Sequence, residues 1–181
     1  MVAIKMSMRQ HSFLDKFIIE CDKALKTVIG NPETTDRKMP GEDIGEADLT
    51  SAEQVLSSRL MRVNHSGEVS AQALYQGQAL TAKLPEVKQA MNQAALEEND
   101  HLVWCKQRVQ YLGDHTSVLN PLWYVGSFAM GAVAGKIGDK WSLGFVAETE
   151  KQVVQHLDEH LQKMSSTDLK SRAVLEQMRI D

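Results

Sequence analysis

Glu98 and His101 stand three residues apart in a stretch with helical periodicity, which puts a carboxylate and an imidazole side by side on one helix face. Their neighbours at three- and four-residue steps are Met91, Ala94, Ala95, Leu102 and Cys105, and together these make an apolar face. Burying an unpaired acid and an imidazole there is costly, and a bound metal would satisfy both. Alone, the pair also reads as a surface couple beside Glu97 and Asp100. It becomes a site only with further ligands from other helices.

Two other helical stripes offer them. Glu68 has Met61, Ala71 and Tyr75 on its side, with His65 one turn back, and it also reads as a partly exposed acid opposite Arg62. Further on, Glu148 shares a face with Lys151, Gln152 and Gln155, whereas Glu150 shares one with Val146, Ala147, Val153, Val154, Leu157 and Leu161. Glutamates are almost never fully buried without partners. Periodicity therefore selects Glu150, not Glu148, as the buried acid near Glu68, Glu98 and His101, the competing reading being an ordinary buried ion pair. Carboxylate and imidazole ligands with open positions suit non-haem iron, which can activate O2. A Glu-x-x-His pair with single glutamates from neighbouring helices belongs to the di-iron ligand set of four-helix bundles. His156 stands off the Glu150 face, in a supporting or a surface position. His11, His115 and His160 join no constellation, and Cys105 reads as core.

The elements that must position these residues are all helices. Ser12 to Ile29 carries one apolar stripe, and Gly30 to Ile44, with Pro32 and Pro40, reads as a linker or exposed loop. Thr50 and Glu53 form a capping box for a helix running to about Lys83. Pro85 suits the first turn of the next, which ends at Gly113. Further helices cover roughly residues 143–164 and start again near Asp168. No β-alternation of useful length appears, so the fold class is all-α. The expected division is an N-terminal helix and linker over 1–49 and a bundle over 50–181.

The chain has 181 residues, a net charge of −4 and a pI near 5.9, which gives no nucleic-acid footprint. Two cysteines, Cys21 and Cys105, point to a reducing compartment and no disulfide framework. The first sixteen residues lack the apolar core of a secretory leader. Ser117 to Gly135 contains no charged residue and holds Trp123, Tyr124, Phe128 and Met130. Asn120-Pro121 and Gly126, Gly131 and Gly135 weigh against a membrane span, and the expectation is a buried or membrane-surface hairpin with an exposed apolar face over 122–135.

At these residues the chain resembles the demethoxyubiquinone hydroxylases. The resemblance rests on Arg62-Val63-Asn64-His65-Ser66-Gly67-Glu68, Glu98-x-x-His101, Pro121-Leu122-Trp123, Val146-Ala147-Glu148-Thr149-Glu150 and His156, in order and spacing, over roughly residues 51–181. It implies a ferritin-like di-iron bundle at the cytoplasmic side of the cell membrane, peripherally attached, that hydroxylates a polyprenylated methoxy-methyl-benzoquinol with O2. It assigns iron-ligand roles to Glu68, Glu98, His101 and Glu150, and leaves the electron donor open. It also implies a second Glu-x-x-His on the last helix. The chain ends at Asp181, one position before the apolar stripe of that helix would place it, so the expectation is an incomplete ligand set, weak iron binding and poor hydroxylation. The alternatives are a ferritin-like iron-handling protein and a non-enzymatic quinone- or partner-binding relative.

Overall fold

The computed structural model describes residues 12–30, 32–35 and 37–181; the leader reading of the first residues and His11 lie outside the described residues. Six helices occupy most of the rest: α1 (Phe13–Val28), α2 (Ser51–Thr81), α3 (Pro85–Tyr111), α4 (Asn120–Ile137), α5 (Asp139–Lys163) and α6 (Leu169–Ile180). Their ends follow local chemistry. The Thr50 hydroxyl and the Glu53 carboxylate cap each other's backbone N–H at the start of α2, Ser12 and Asp15 do the same for α1, and Pro85 opens α3.

Cross-helix bonds fix the topology. Asn64 meets His160 and Gln78 meets Ser142, so α5 runs antiparallel to α2. Arg108 meets Ser171 and His101 meets Asp181, so α6 runs antiparallel to α3. With α2 and α3 as a hairpin, these four helices form an up-and-down bundle with one long crossover, a ferritin-like arrangement. Met61, Trp104, Cys105, Val109, Leu157, Val174 and Leu175 fill one end of its core.

The crossover contains α4, and here the expected hairpin gives way to a single helix. Its glycines do not break it, because they are where it touches α2. A Cβ on Gly131 would collide with the Leu74 carbonyl, one on Gly135 with the Thr81 hydroxyl, and one on Gly77 of α2 with the Phe128 carbonyl. Only glycine permits backbones so close. The Thr81 hydroxyl then donates to the Ala132 carbonyl at 3.0 Å. The pairs Ser66–Asn120, Gln76–Tyr124 and Thr81–Ala132 show that α4 runs parallel to α2.

The segment between α1 and α2 is also more than a linker. Thr35 bonds Asp100, Arg37 pairs with Asp181 and lies over the Trp104 ring, and the Asn99 amide donates to the Glu33 carbonyl. Glu46 receives the buried Arg108 guanidinium at 3.0 Å, while Met39 and Leu49 pack against the core. It straps α3 to α6. Asn99 and Asp100 turn outward to hold this strap while Glu98 and His101 turn inward.

Among the described residues, no helix is long and apolar enough to cross a membrane. Yet α4 exposes Leu122, Trp123, Val125, Met130, Val133 and Ile137, and α1, packed beside it, exposes Leu14, Phe17, Ile18 and Leu25. The expected exposed face over 122–135 is therefore present, with Tyr124 turned into the interior and Phe128 half-buried.

Candidate metal centre

Helices α2 and α3 bring Glu68, Glu98 and His101 together, with one ligand atom from each lying within 4.8 Å of the others. His101 Nδ1 is 3.0 Å from Glu98 Oε2 and 3.9 Å from Glu68 Oε2. Its other nitrogen, Nε2, donates to Asp181 Oδ2 at 2.9 Å. Glu68 and His101 are buried and Glu98 is half-buried. The reading of Glu68 as a partly exposed acid is thereby corrected: α3 and α5 cover its side of α2.

Helix α5 points Glu150 toward the same place. It is half-buried and lines both cavities that Glu68 and Glu98 line, while Glu148 is exposed with Lys151, Gln152 and Gln155. Glu150 stands outside the tight group of three. Its stripe is not sealed, since Val154 is exposed and Val146 and Val153 are half-buried.

The electrostatics are those of a site short of positive charge. Burial pushes the Glu68 carboxyl well above the usual carboxylate range, and the neighbouring Glu98 and Glu150 push it further. Burial also acts to raise Glu98, but hydrogen bonds from His101 and Glu68 outweigh it and hold Glu98 low. Burial acts to lower His101, and Glu98 and Asp181 outweigh that, so its net shift is upward. Burial alone raises Glu150. Glu68 and His101 are thus both shifted toward their protonated forms, and Glu98 toward its ionised form. A cation in this position would replace those protons, and oxygen and imidazole donors suit iron.

Glu68, Glu98 and Glu150 form part of the wall of a cavity of about 500 Å³ between α2, α5 and the start of α4. Apolar and small side chains dominate the wall, including Val63, Ala71, Leu119, Trp123, Val153 and Leu157. Three buried polar atoms of lining residues have no hydrogen-bond partner: Arg62 Nε, Asn64 Nδ2 and Tyr75 Oη. His156 is exposed yet lines this cavity, its ring 3.9 Å from that of His160.

The sequence reading passed over His160, which is buried and bonds Asn64 Oδ1 through Nδ1 at 3.1 Å. A signal was present: His160 falls three residues after Leu157 and four before Met164, on the inward stripe. Burial and the nearby His156 hold it at about 4, so it is neutral. His65 does not face the carboxylates. It turns toward α4, where the Asn120 amide meets its Nδ1 at 3.3 Å. Asp181 was seen only as the last residue, because its contact with His101 spans 80 positions.

A helical bundle with a parallel crossover helix and a buried carboxylate–histidine group between its helices defines a ferritin-like protein with a candidate metal centre. Comparison with known proteins narrows this. The chain belongs to the family of the ubiquinone biosynthesis protein COQ7, whose sequence profile matches residues 55–181. Similar proteins include one from Nitrosococcus oceani, 62% identical over 173 residues that make up 96% of this chain and 81% of the relative. Another is from Ectopseudomonas mendocina, 57% identical over 175 residues, 97% and 81% of the two chains. A third, from Nitrosomonas eutropha, is 55% identical over 168 residues, 93% and 80%. Each is named 3-demethoxyubiquinol 3-hydroxylase.

Proposed function

We propose that this protein is a 3-demethoxyubiquinol 3-hydroxylase, a monooxygenase that places a hydroxyl from O2 on the open ring carbon of the quinol, bound at a membrane surface. The observation that carries the reading is the meeting of three features in one place. Glu68 and Glu98, with His101 beside them, stand at the wall of an apolar cavity, and that cavity opens beside the exposed apolar start of α4.

Glu68, Glu98, His101 and Glu150 are the residues that would hold iron, and iron bound there supplies the activation of O2. The chain's own residues do the rest. Val153, Leu157, Trp123 and Leu119 exclude water from the ring. Asp181 and Glu98 fix the His101 ring from its two nitrogens. The polyprenyl tail lies para to the reacting carbon, so it points away from the carboxylates when that carbon faces them. Leu119, Leu122 and Trp123 offer it an apolar exit. The apolar faces of α1 and α4, with exposed Lys136 and Lys140 at the end of α4 and the start of α5, suit docking on a lipid surface with anionic headgroups. An iron-storage role would use neither the cavity nor these faces.

The test is reconstitution with ferrous iron, addition of a short-tailed quinol without oxygen, and then exposure to labelled dioxygen. One labelled oxygen atom in the product is expected. Iron oxidation with the quinol ring left unhydroxylated would reject the assignment.

A further inference from the structure

We infer that the Asn64 amide is the donor that holds the methoxy oxygen of the quinol ring, with its orientation set by His160. The inference rests on the proposed hydroxylase reading and adds the residue that orients the headgroup within it.

Asn64 is 4% exposed and lines the cavity. Its carbonyl end is occupied, because His160 Nδ1 lies 3.1 Å from Asn64 Oδ1. His160 is neutral, so one of its two nitrogens carries the proton. With a carbonyl oxygen as the partner, that nitrogen must be Nδ1. A proton on Nδ1 holds the amide in this orientation, because a flipped amide would set its NH2 against the imidazole N–H. Its Nδ2 is left aimed away from His160, buried and with no hydrogen-bond partner. A buried donor without an acceptor costs roughly 1–3 kcal/mol, and a ligand acceptor removes that cost.

Position decides which acceptor. Asn64 lies one turn of α2 before Glu68, about 6 Å along the helix axis, whereas Tyr75 lies seven residues after it, about 10 Å away. A ring tethered at Asn64 brings its adjacent carbon to Glu68 and Glu98. On the quinol, the open carbon is flanked by the methoxy-bearing carbon and by a hydroxyl-bearing one. The two hydroxyls carry their own protons and can donate to a carboxylate or to the exposed His156 ring. The methoxy oxygen only accepts, which makes it the complement of an NH2 group that only donates. His160 is a positioning residue in this arrangement, acting on the substrate through Asn64.

The experiment compares two probes on the same protein: a prenyl-tailed methoxy-methyl-benzoquinol, and its counterpart with hydrogen in place of methoxy. Binding of each is measured by calorimetry in detergent micelles, without oxygen. Wild type should bind the methoxy compound about fivefold more tightly, the worth of one neutral hydrogen bond. Asn64→Ala and Asn64→Leu should bring the ratio to within twofold of unity, chiefly by weakening the methoxy compound. The ratio within one variant is insensitive to general loosening of the fold. His160→Leu should lower the ratio as well, and His160→Asn, whose amide nitrogen takes the place of Nδ1, should restore it. Asn64 variants that keep the fivefold ratio, or that weaken both compounds equally, overturn the assignment while leaving the hydroxylase reading standing. Wild type that binds neither compound overturns both.

Discussion

His101 is held from both sides: Nε2 donates to Asp181 Oδ2 at 2.9 Å, and Nδ1 lies 3.0 Å from Glu98 Oε2. Asp181 is in turn paired with Arg37 of the strap. A carboxylate behind an imidazole fixes its ring and raises its basicity, and losing one typically costs ~10–100-fold in metal affinity. Asp181→Ala is expected to weaken ferrous or cobaltous binding by that factor with little change in helicity. A competitive metal titration showing less than a twofold loss would reject the coupling.

Metal and protons compete at Glu68. Burial and Glu98 push its carboxyl well above the usual carboxylate range, so a cation bound there competes with a proton. Apparent affinity should climb with pH, by up to about tenfold per unit for each proton displaced. Titrations across pH 6 to 8 should show this slope, and Glu68→Gln should flatten it while weakening binding.

Acid should unfold the protein partly through His65. Burial, with Lys106 nearby, lowers it from 6.5 to about 4. Below pH 6.5 the unfolded chain takes up a proton that the folded one refuses. Stability is therefore full above that pH and falls as the pH drops toward 4, by about 1.4 kcal/mol per unit and on the order of 3 kcal/mol in all. Urea melts at pH 7 and pH 4.5 measure the difference, and His65→Gln should shrink it. An unchanged difference would show that His65 contributes nothing and that His160 and the carboxylates set the acid limit.

Two glycines of α4 should respond oppositely to alanine. Gly131 abuts the Leu74 backbone, and Gly131→Ala is expected to cost about 3 kcal/mol or more. Gly126 faces open space, and Gly126→Ala should stabilise the helix by about 0.5–1 kcal/mol. Paired thermal melts decide it. Two losses of equal size would mean that the close approach is not what requires glycine.

The apolar face of α4 should carry lipid binding. Val125 and Val133 are 65% and 59% exposed, so Val125→Glu with Val133→Glu leaves the core untouched. Flotation with vesicles rich in anionic lipid should retain the wild-type protein and lose the double variant. Equal flotation would reject α4 as the docking face.

The local parts of this molecule were readable from its sequence. The Thr50–Glu53 box, Pro85 and the apolar stripes place the helices, because each acts within one or two turns. The stripe around Glu150 likewise predicted which of two acids would face inward. What was not readable depends on distant pairing. Asn64 and His160 meet across 96 positions, and neither residue type signals the other. Gly131 and Gly135 of α4 weigh in the sequence only against a membrane span, because their reason for existing is a backbone on another helix. The strap read as a linker for the same cause: Glu33 and Thr35 look like loop residues until Asn99 and Asp100 arrive to bind them.

The glycine contact between α2 and α4 has a mechanical consequence. A seam between side chains can slip by changing rotamers, but a seam between backbones has nothing soft in it. The helix that bears the exposed apolar face and the helix that bears Glu68 must therefore tilt and shift as one beam. The distance of the carboxylates from the exposed face of α4 is set by main-chain geometry. It stays constant, whereas the spacing between α2 and the facing helix α5 is set by side chains, through Asn64–His160 and Gln78–Ser142.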